Sequence, residues 1–293
     1  MKSKFSQGVR LFFINPGLFL KYFRKFFIET VLFPLENLNN VPDRFQKKIG
    51  GVLFEMDFSV FPKEHKFQKE MRYGFYEIAT VEYMKKALKP GDIFIDAGAN
   101  VGYLTAVGAS LVGKEGQVHS FEPLPQIFPF LERLKSLNPG FNIFLNNCAL
   151  GDKDGIARIG FFGYQHSGGS SMVIEAVKDN SIEKVIEARV MRLDEYIKER
   201  KLDGIALIKI DVEGYEFRVL KGLSGYFAST SKRPPIICET SPTAYSFIGL
   251  NVEGLIDYMR SFGYEAYDIY NPKIKIDLTK AEDGINVVWK AKT

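Results

Sequence analysis

Cysteine is scarce in this chain: there are two in 293 residues, Cys148 and Cys238, both inside apolar runs. That count excludes a disulfide framework and a cysteine-built zinc site, and both thiols read as small core residues. Histidine is nearly as rare, with His65, His119 and His166 alone. A surplus of one charge sign is missing as well. The formal net charge of +4 is too small to argue for a nucleic-acid partner. There is no internal repeat and no low-complexity tract. The stretch Asn15–Phe33 is rich in apolar residues, but the charges inside it rule against a spanning helix, which needs about 20 predominantly apolar residues. A basic start and a short apolar run (Leu11–Leu20) precede no small-residue cleavage site, so a signal peptide is disfavoured. The expected location is the cytoplasm, with peripheral membrane contact left open.

What is present is an ordinary soluble composition, 46% hydrophobic and 25% charged, with 26 phenylalanines that point to an aromatic-rich core. The length suits one large domain or one domain plus an appendage. Charge is uneven. Residues 1–33 carry Lys2, Lys4, Arg10, Lys21, Arg24 and Lys25 against Glu29 alone. Asn15–Phe33 reads as one helix, capped by Asn15 with Pro16 in its first turn. Phe19, Leu20, Phe23, Phe26, Phe27 and Val31 share one face; Lys21, Arg24, Lys25 and Glu29 share the other. Two readings stay open: packing on the chain's own domain or on a second subunit, or lying in a membrane interface. Residues 1–40 are therefore expected to be an amphipathic helical extension.

Residues 41–79 read as a lead-in, with a turn at "VPDRF" and a strand pair or extended segment in "IGGVLFEMDFS". From "FYEIATVEYMKKAL" onward the pattern alternates. Strands are expected in "DIFIDAG", "GQVHSFEP", "NIFLNNCAL", "GIALIKIDVEG" and "PPIICET". Helices are expected from about Val101 to Leu111 and Pro125 to Leu137, then in "LDEYIKER", "EFRVLKGL" and "VEGLIDYMRSFG". "IARIGFF" and "KVIEARVMRL" look like strands around an irregular loop, and "YEAYDIY" and "INVVWKA" like closing strands. Such alternation means an α/β domain over 80–293, a mostly parallel central sheet with helices on both faces.

In an open parallel sheet ligands bind beyond the carboxyl ends of the strands. Asp96, Glu122, Asp211 and Glu239 end four of the expected strands, whose interiors are otherwise apolar. Gly98 and Gly102 permit a sharp turn and close approach of a ligand. Their spacing, G-x-x-x-G, is not the dinucleotide fingerprint G-x-G-x-x-G. An acid two residues before the first glycine disfavours a pyrophosphate and suits a cationic ligand such as S-adenosylmethionine. Glu122 is placed to accept two ribose hydroxyls.

The pieces "FIDAGANVGYLT", "VHSFEPLP", "NNCALGDKDG", "SGGSSM", "VMRLDEYI" and "LIKIDVEGYEFRVLKGL" occur in that order between Lys89 and Leu223. Together they resemble the S-adenosylmethionine-dependent methyltransferases and, more closely, the FkbM family. The resemblance implies a Rossmann-like class I methyltransferase fold with an antiparallel C-terminal strand, and methyl transfer, usually to oxygen. By position it implies a methionine-side loop of Asp96, Gly98, Ala99, Asn100 and Gly102. It gives Glu122 the ribose, Pro123 the turn after it, and Asn147, Cys148 and Ala149 the flank of the adenine. Family members act on sugars, glycolipids and polyketide natural products, so the expected acceptor is a small molecule, a glycan or a lipid-linked compound.

Asp211 and Glu213 are the candidates for removing the acceptor's proton, or for holding a divalent cation that lowers its pKa. Glu213 is equally readable as a cap of the next helix. Lys209 shares a face with Asp211, to bind an anionic acceptor or to pair with an acid. His166, in a polar loop, is a candidate base. Ser170 and Ser171 either bind the acceptor or turn the chain, Glu239 is placed at the acceptor cleft, and His119 is a core residue. Two other classes compete: a nicotinamide-dependent oxidoreductase, which shares the βαβ start but needs the third glycine, and a non-catalytic membrane or partner adaptor that keeps the fold.

Overall fold

The computed structural model describes residues 16–27, 44–59, 66–163, 170–174 and 182–291. Helix α1 (Pro16–Phe27) is followed by strands β1 (Arg44–Ile49) and β2 (Val52–Asp57), then by α2 (Lys66–Tyr73) and α3 (Ile78–Ala87). Next come β3 (Ile93–Ala97), α4 (Tyr103–Val112), β4 (Gln117–Phe121), α5 (Phe128–Leu137) and β5 (Asn142–Asn146). The short strands β6 (Ala149–Leu150), β7 (Gly155–Phe161), β8 (Ser170–Ser171) and β9 (Lys184–Met191) lead to α6 (Leu193–Glu199) and β10 (Ile205–Ile210). The remainder is α7 (Glu216–Lys221), α8 (Ser224–Ser229), β11 (Ile236–Thr240), α9 (Pro242–Phe247), α10 (Val252–Ser261), β12 (Tyr264–Asp268) and β13 (Ile285–Ala291).

The seven-stranded central sheet has the order β12-β13-β11-β10-β3-β4-β5. Strands β5, β4, β3, β10 and β11 run parallel, while β13 is antiparallel to both β11 and β12. From β3 the chain steps through β4 to β5 on one side, then returns to β10 on the other. The strand order reverses between β3 and β10, and a crevice opens at their carboxyl ends. Both faces are covered, so the strands are mostly apolar, and four residues of β3 and five of β10 are buried, Asp96 and Lys209 among them.

A second, four-stranded sheet of order β6-β9-β7-β8 stands apart from the first. The expected single strand "NIFLNNCAL" is thus two: β5 ends at Asn146, and Ala149–Leu150 pairs with β9 instead. The break falls at Asn147, whose Nδ2 turns back to donate to the Glu122 carbonyl at 2.9 Å. The "VPDRF" turn also differs, because Arg44 and Phe45 already belong to β1. Helices α2, α8 and α9 lack a clear sequence signal.

The β1–β2 hairpin shares the main core. Val52, Phe54 and Met56 are fully buried in one cluster with Phe94, Leu104 and Leu207. Phe54 meets Tyr103 edge-on. Asn138, at the end of α5, donates to Leu53 O at 2.8 Å and accepts from Leu53 N at 2.7 Å.

Helix α1 docks on α3 not by its expected apolar face but by the edge that carries Leu18 and Tyr22. Leu18 is buried with Phe75 and Ile78, and Tyr22 packs beside them. Lys21 pairs with Glu82 at 2.6 Å and Lys25 with Glu70 at 2.7 Å. These acids draw the basic edge inward, and Leu20, Phe23, Phe26 and Phe27 face out, each at least 50% exposed.

His119, inside β4, is a core residue. Nδ1 lies 2.8 Å from Tyr196 Oη, Nε2 lies 3.1 Å from Gln117 Oε1, and the ring stacks on Phe144. Burial lowers its pKa to about 4.

Two outcomes follow from this packing. Phe54→Ala should lower unfolding free energy by about 3–5 kcal/mol in urea titration, the usual cost of emptying a buried aromatic site. A loss under about 1 kcal/mol would mean the hairpin is not part of the core. The folded state resists protonating His119, whereas the unfolded chain accepts the proton near pH ~6.5. The His119 contribution to stability is therefore lost as pH drops from about 6.5 toward 4, while the buried carboxyls of raised pKa contribute with the opposite sign, so wild type should lose stability relative to His119→Asn across this window. A difference in urea midpoint between wild type and His119→Asn that stays constant across this window would contradict the burial of a neutral imidazole.

Candidate active site

The crevice is an open cleft of about 830 Å³. Its floor is the turn between β3 and α4. Gly98 has φ 78°, and a Cβ there would lie 1.8 Å from the carbonyl oxygen of Asp211, so only glycine lets β3 pass this close to the end of β10. Asn100 (φ 51°) and Gly102 (φ 85°) complete the turn in left-handed conformations. The amides of Gly98 and Ala99 donate to Phe121 O, that of Asn100 to Glu122 Oε2 at 3.0 Å, and that of Gly102 to Ala99 O.

Glu122 lies one residue beyond β4. Its Oε1 accepts from Leu124 N at 2.9 Å, and its Oε2 is the acceptor for Asn100. Burial raises the carboxyl to about 7, against the pull of these amides. Phe121, Pro123, Cys148, Ala149 and Leu150 form the wall beside it. Burial pushes the Cys148 thiol up to about 11, which makes it an inert wall group.

Between β3 and β10 lies Lys209, 4% exposed. Its Nζ donates to Gly98 O at 2.8 Å and sits 3.4 Å from Ala97 O, 3.6 Å from Asp96 Oδ1 and 3.5 Å from Asp211 Oδ2. Burial opposes the charge, but Asp211, Asp96 and Glu77 outweigh it and raise the lysine's pKa. Two residues beyond Asp211, Glu213 holds φ 54° and lines the cleft. Burial raises its carboxyl to about 8, with Asp211 and Glu216 adding to the shift. Ser171 Oγ donates to Glu213 O at 2.6 Å and accepts from Val173 N. The acid that ties the turn ahead of α7 is Glu216, not Glu213: its Oε1 accepts from Val212 N and Gly214 N. Glu239, at the end of β11, is carried by burial and by Asp211 to about 10.

The cleft gathers Gly98, Ala99, Asn100, Glu122, Pro123, Cys148, Ala149, Lys209, Asp211 and Glu213 on its walls. Asp96 is different. It is fully buried beneath the turn, with Oδ2 accepting from Thr105 Oγ1 at 2.7 Å. Gly102 packs beneath Leu131, and Asn147 supports Glu122 and Pro123 from behind. Lys209 is turned inward to acids and carbonyls rather than outward to an anionic acceptor. His65 and His166 lie outside the described residues, as does the side chain of Ser170. Among the described residues no group of three or more His, Cys, Asp or Glu side chains is disposed to hold a metal ion.

Four participants escaped sequence reasoning. Met71 and Tyr76 line the cleft from the lead-in. Glu77, with φ 49° before α3, accepts from Thr80 Oγ1 at 2.6 Å; burial and Asp211 raise its pKa. Glu216 is the fourth. Nothing in the local pattern around 71–77 announces a site, since its approach to β10 is purely tertiary.

The chain is similar in sequence to known methyltransferases. A 31-O-demethyl-FK506 methyltransferase FkbM from Streptomyces tacrolimicus is 32% identical over 183 residues, covering 53% of this chain and 69% of the relative. "Methyltransferase 1" of Beauveria bassiana is 28% identical over 184 residues, covering 57% and 72%. A crystal structure of methyltransferase FkbM from Methylobacillus flagellatus aligns with TM-score 0.43 at 16% identity, over 79% of this chain and 56% of that one. The sequence model described as Methyltransferase FkbM domain matches residues 96–266, more than half of the chain, and the protein belongs to the FkbM family of methyltransferases.

Proposed function

We propose that the cleft binds S-adenosylmethionine and that the protein methylates a hydroxyl oxygen of a sugar, glycolipid or natural-product acceptor. The observation that carries this reading is the convergence of the glycine turn, Glu122 and the Asp211–Glu213 pair on one cleft at the reversal of strand order. The residues fit the cofactor. Each Glu122 oxygen takes one backbone N–H and keeps a lone pair for a ribose hydroxyl. Phe121, Ala149 and Leu150 offer an apolar wall to a flat base. Asp211 presents a carboxylate toward the cofactor's cationic end.

When bound, the cofactor supplies an electrophilic methyl carbon on a sulfonium. The chain's task is to align the acceptor oxygen behind that carbon and to accept its proton. The new O–C bond replaces the S–C bond, and the proton passes to the Glu213 carboxylate. A base with a pKa of about 8 suits work near neutral pH. The Lys209 ammonium already lies between Asp96 and Asp211, which favours this route over a divalent ion on Asp211 and Glu213. Intact acids at the cleft argue against a non-catalytic adaptor, and the absent third glycine against a nicotinamide enzyme.

A second reading concerns α1. Four large apolar side chains on its outer side, with six basic residues in the first 33, favour peripheral contact with an anionic membrane over a second copy of the chain. The expected localisation is at that surface.

Release of S-adenosylhomocysteine against a panel of hydroxylated acceptors tests the chemistry. Turnover should rise with pH through about 8, as Glu213 loses its proton, and should be insensitive to a chelator. Glu213→Gln should lower kcat by about 10²–10⁴-fold with cofactor affinity unchanged. Glu213→Gln turnover within twofold of wild type would remove Glu213 from the role of base. For α1, co-sedimentation with phosphatidylglycerol-containing vesicles should be lost in Phe23→Ser/Phe27→Ser. High salt should weaken it only in part, since Lys21 and Lys25 are held by Glu82 and Glu70. A concentration-dependent dimer that ignores vesicles would assign the face to a second copy.

A further inference from the structure

We infer that Lys209 is a positioning residue: its side chain fixes the glycine turn against the end of β10 and so sets the spacing between the cofactor and the Asp211–Glu213 pair. This inference rests on the cofactor reading above and deepens it.

The turn's own amides are already engaged. Gly98 and Ala99 donate to Phe121 O, Asn100 to Glu122, Val101 to the Asn100 side chain, and Gly102 to Ala99 O. Three of these bonds end on Phe121 and Glu122, which tie the turn to the β4 side. On the β10 side, past the β3–β10 ladder, the backbone adds the bond from Asp211 N to Ala97 O at 3.1 Å. The side chain that completes this second anchor is Lys209. Its ammonium reaches the first carbonyl of the turn, Gly98 O, at 2.8 Å, and the last carbonyl of β3, Ala97 O, at 3.4 Å.

The same ammonium lies 3.6 Å from Asp96 and 3.5 Å from Asp211. Lys209 and Asp96 stand side by side in the β10–β3 register, so the contact is built into the strand pairing. A buried charge persists only when its neighbours compensate it, and these four oxygens do so. Asp96 is the reciprocal case. Burial raises its carboxyl while Lys209 and Thr105 hold it down, and its Oδ1 has no hydrogen-bond partner. The acid that the glycine motif carries thus holds the lysine, the lysine holds the turn, and the turn meets the ligand. Asp211 stands at the other end of the same ammonium, so a shift of the turn is a shift relative to the catalytic acids.

Lys209→Met keeps the length of the side chain and removes its charge and donors. Two readouts decide its role. The first needs no cofactor: amide hydrogen exchange across Gly98–Gly102 should speed up in Lys209→Met. The second is the affinity for S-adenosylhomocysteine, which should fall at least tenfold in Lys209→Met and recover in part in Lys209→Arg, which keeps the charge. Lys209→Met/Asp96→Asn removes both buried charges, so its melting temperature should return toward wild type while exchange stays fast and affinity stays low. That double variant also answers the case in which Lys209→Met folds poorly. Unchanged exchange in the turn, or an affinity restored together with the melting temperature in the double variant, would overturn the inference and leave Lys209 a structural ion pair. A wild-type protein that fails to bind S-adenosylhomocysteine would overturn the cofactor reading instead, and hydrogen exchange would still decide whether Lys209 pins the turn.

Discussion

The cleft depends on one close approach of backbone to backbone. Gly98 and the carbonyl of Asp211 leave no room for a Cβ, so the ends of β3 and β10 meet directly at the point where the strand order reverses. A side chain there would push the two strand ends apart. With glycine, the turn that follows β3 and the acids that follow β10 share a single cleft. Lys209 sits at this junction and converts what would be a crowd of carboxylates into a compensated cluster.

Crowding remains beyond the reach of that one ammonium. Burial raises the carboxyls of Glu213 and Glu239, and Asp211 adds to both. Groups so close do not titrate one by one; they share protons as a set. Such a site holds protons near neutral pH that isolated carboxylates would have lost. The strain of Glu213 at positive φ, held by Ser171 and by the Glu216 turn, is the geometric side of the same device.

Much of the fold was legible in the sequence because buried parallel strands are apolar and end abruptly. The runs before Asp96, Glu122, Asp211 and Glu239 gave four sheet positions, and the antiparallel β13 followed from the family resemblance. The direction of individual side chains was not legible. Asp96 is the fourth residue of β3 and points into the core, whereas Glu122 lies past the end of β4 and is free to fold back over the turn. Two acids that read as equivalent in sequence thus differ by two residues in the β3–β4 register, where Asp96 stands beside Ser120 and Glu122 lies beyond the last pair. Leu20, Phe23, Phe26 and Phe27 share one side of α1 and Val31 of the expected face lies outside the described residues, whereas the docking edge is a different one. That edge is chosen by Glu70 and Glu82, which no helical periodicity can anticipate. Met71 and Tyr76 reach the cleft only because the hairpin and α2 join the main core, a tertiary event with no local signature.

The central claim is that this cleft is built for S-adenosylmethionine. Calorimetric titration of the wild-type protein with S-adenosylhomocysteine, with NADH in parallel, tests it most directly. The account predicts one molecule of S-adenosylhomocysteine bound per chain and no heat from NADH. Saturable binding of NADH, or no binding of S-adenosylhomocysteine, would contradict it.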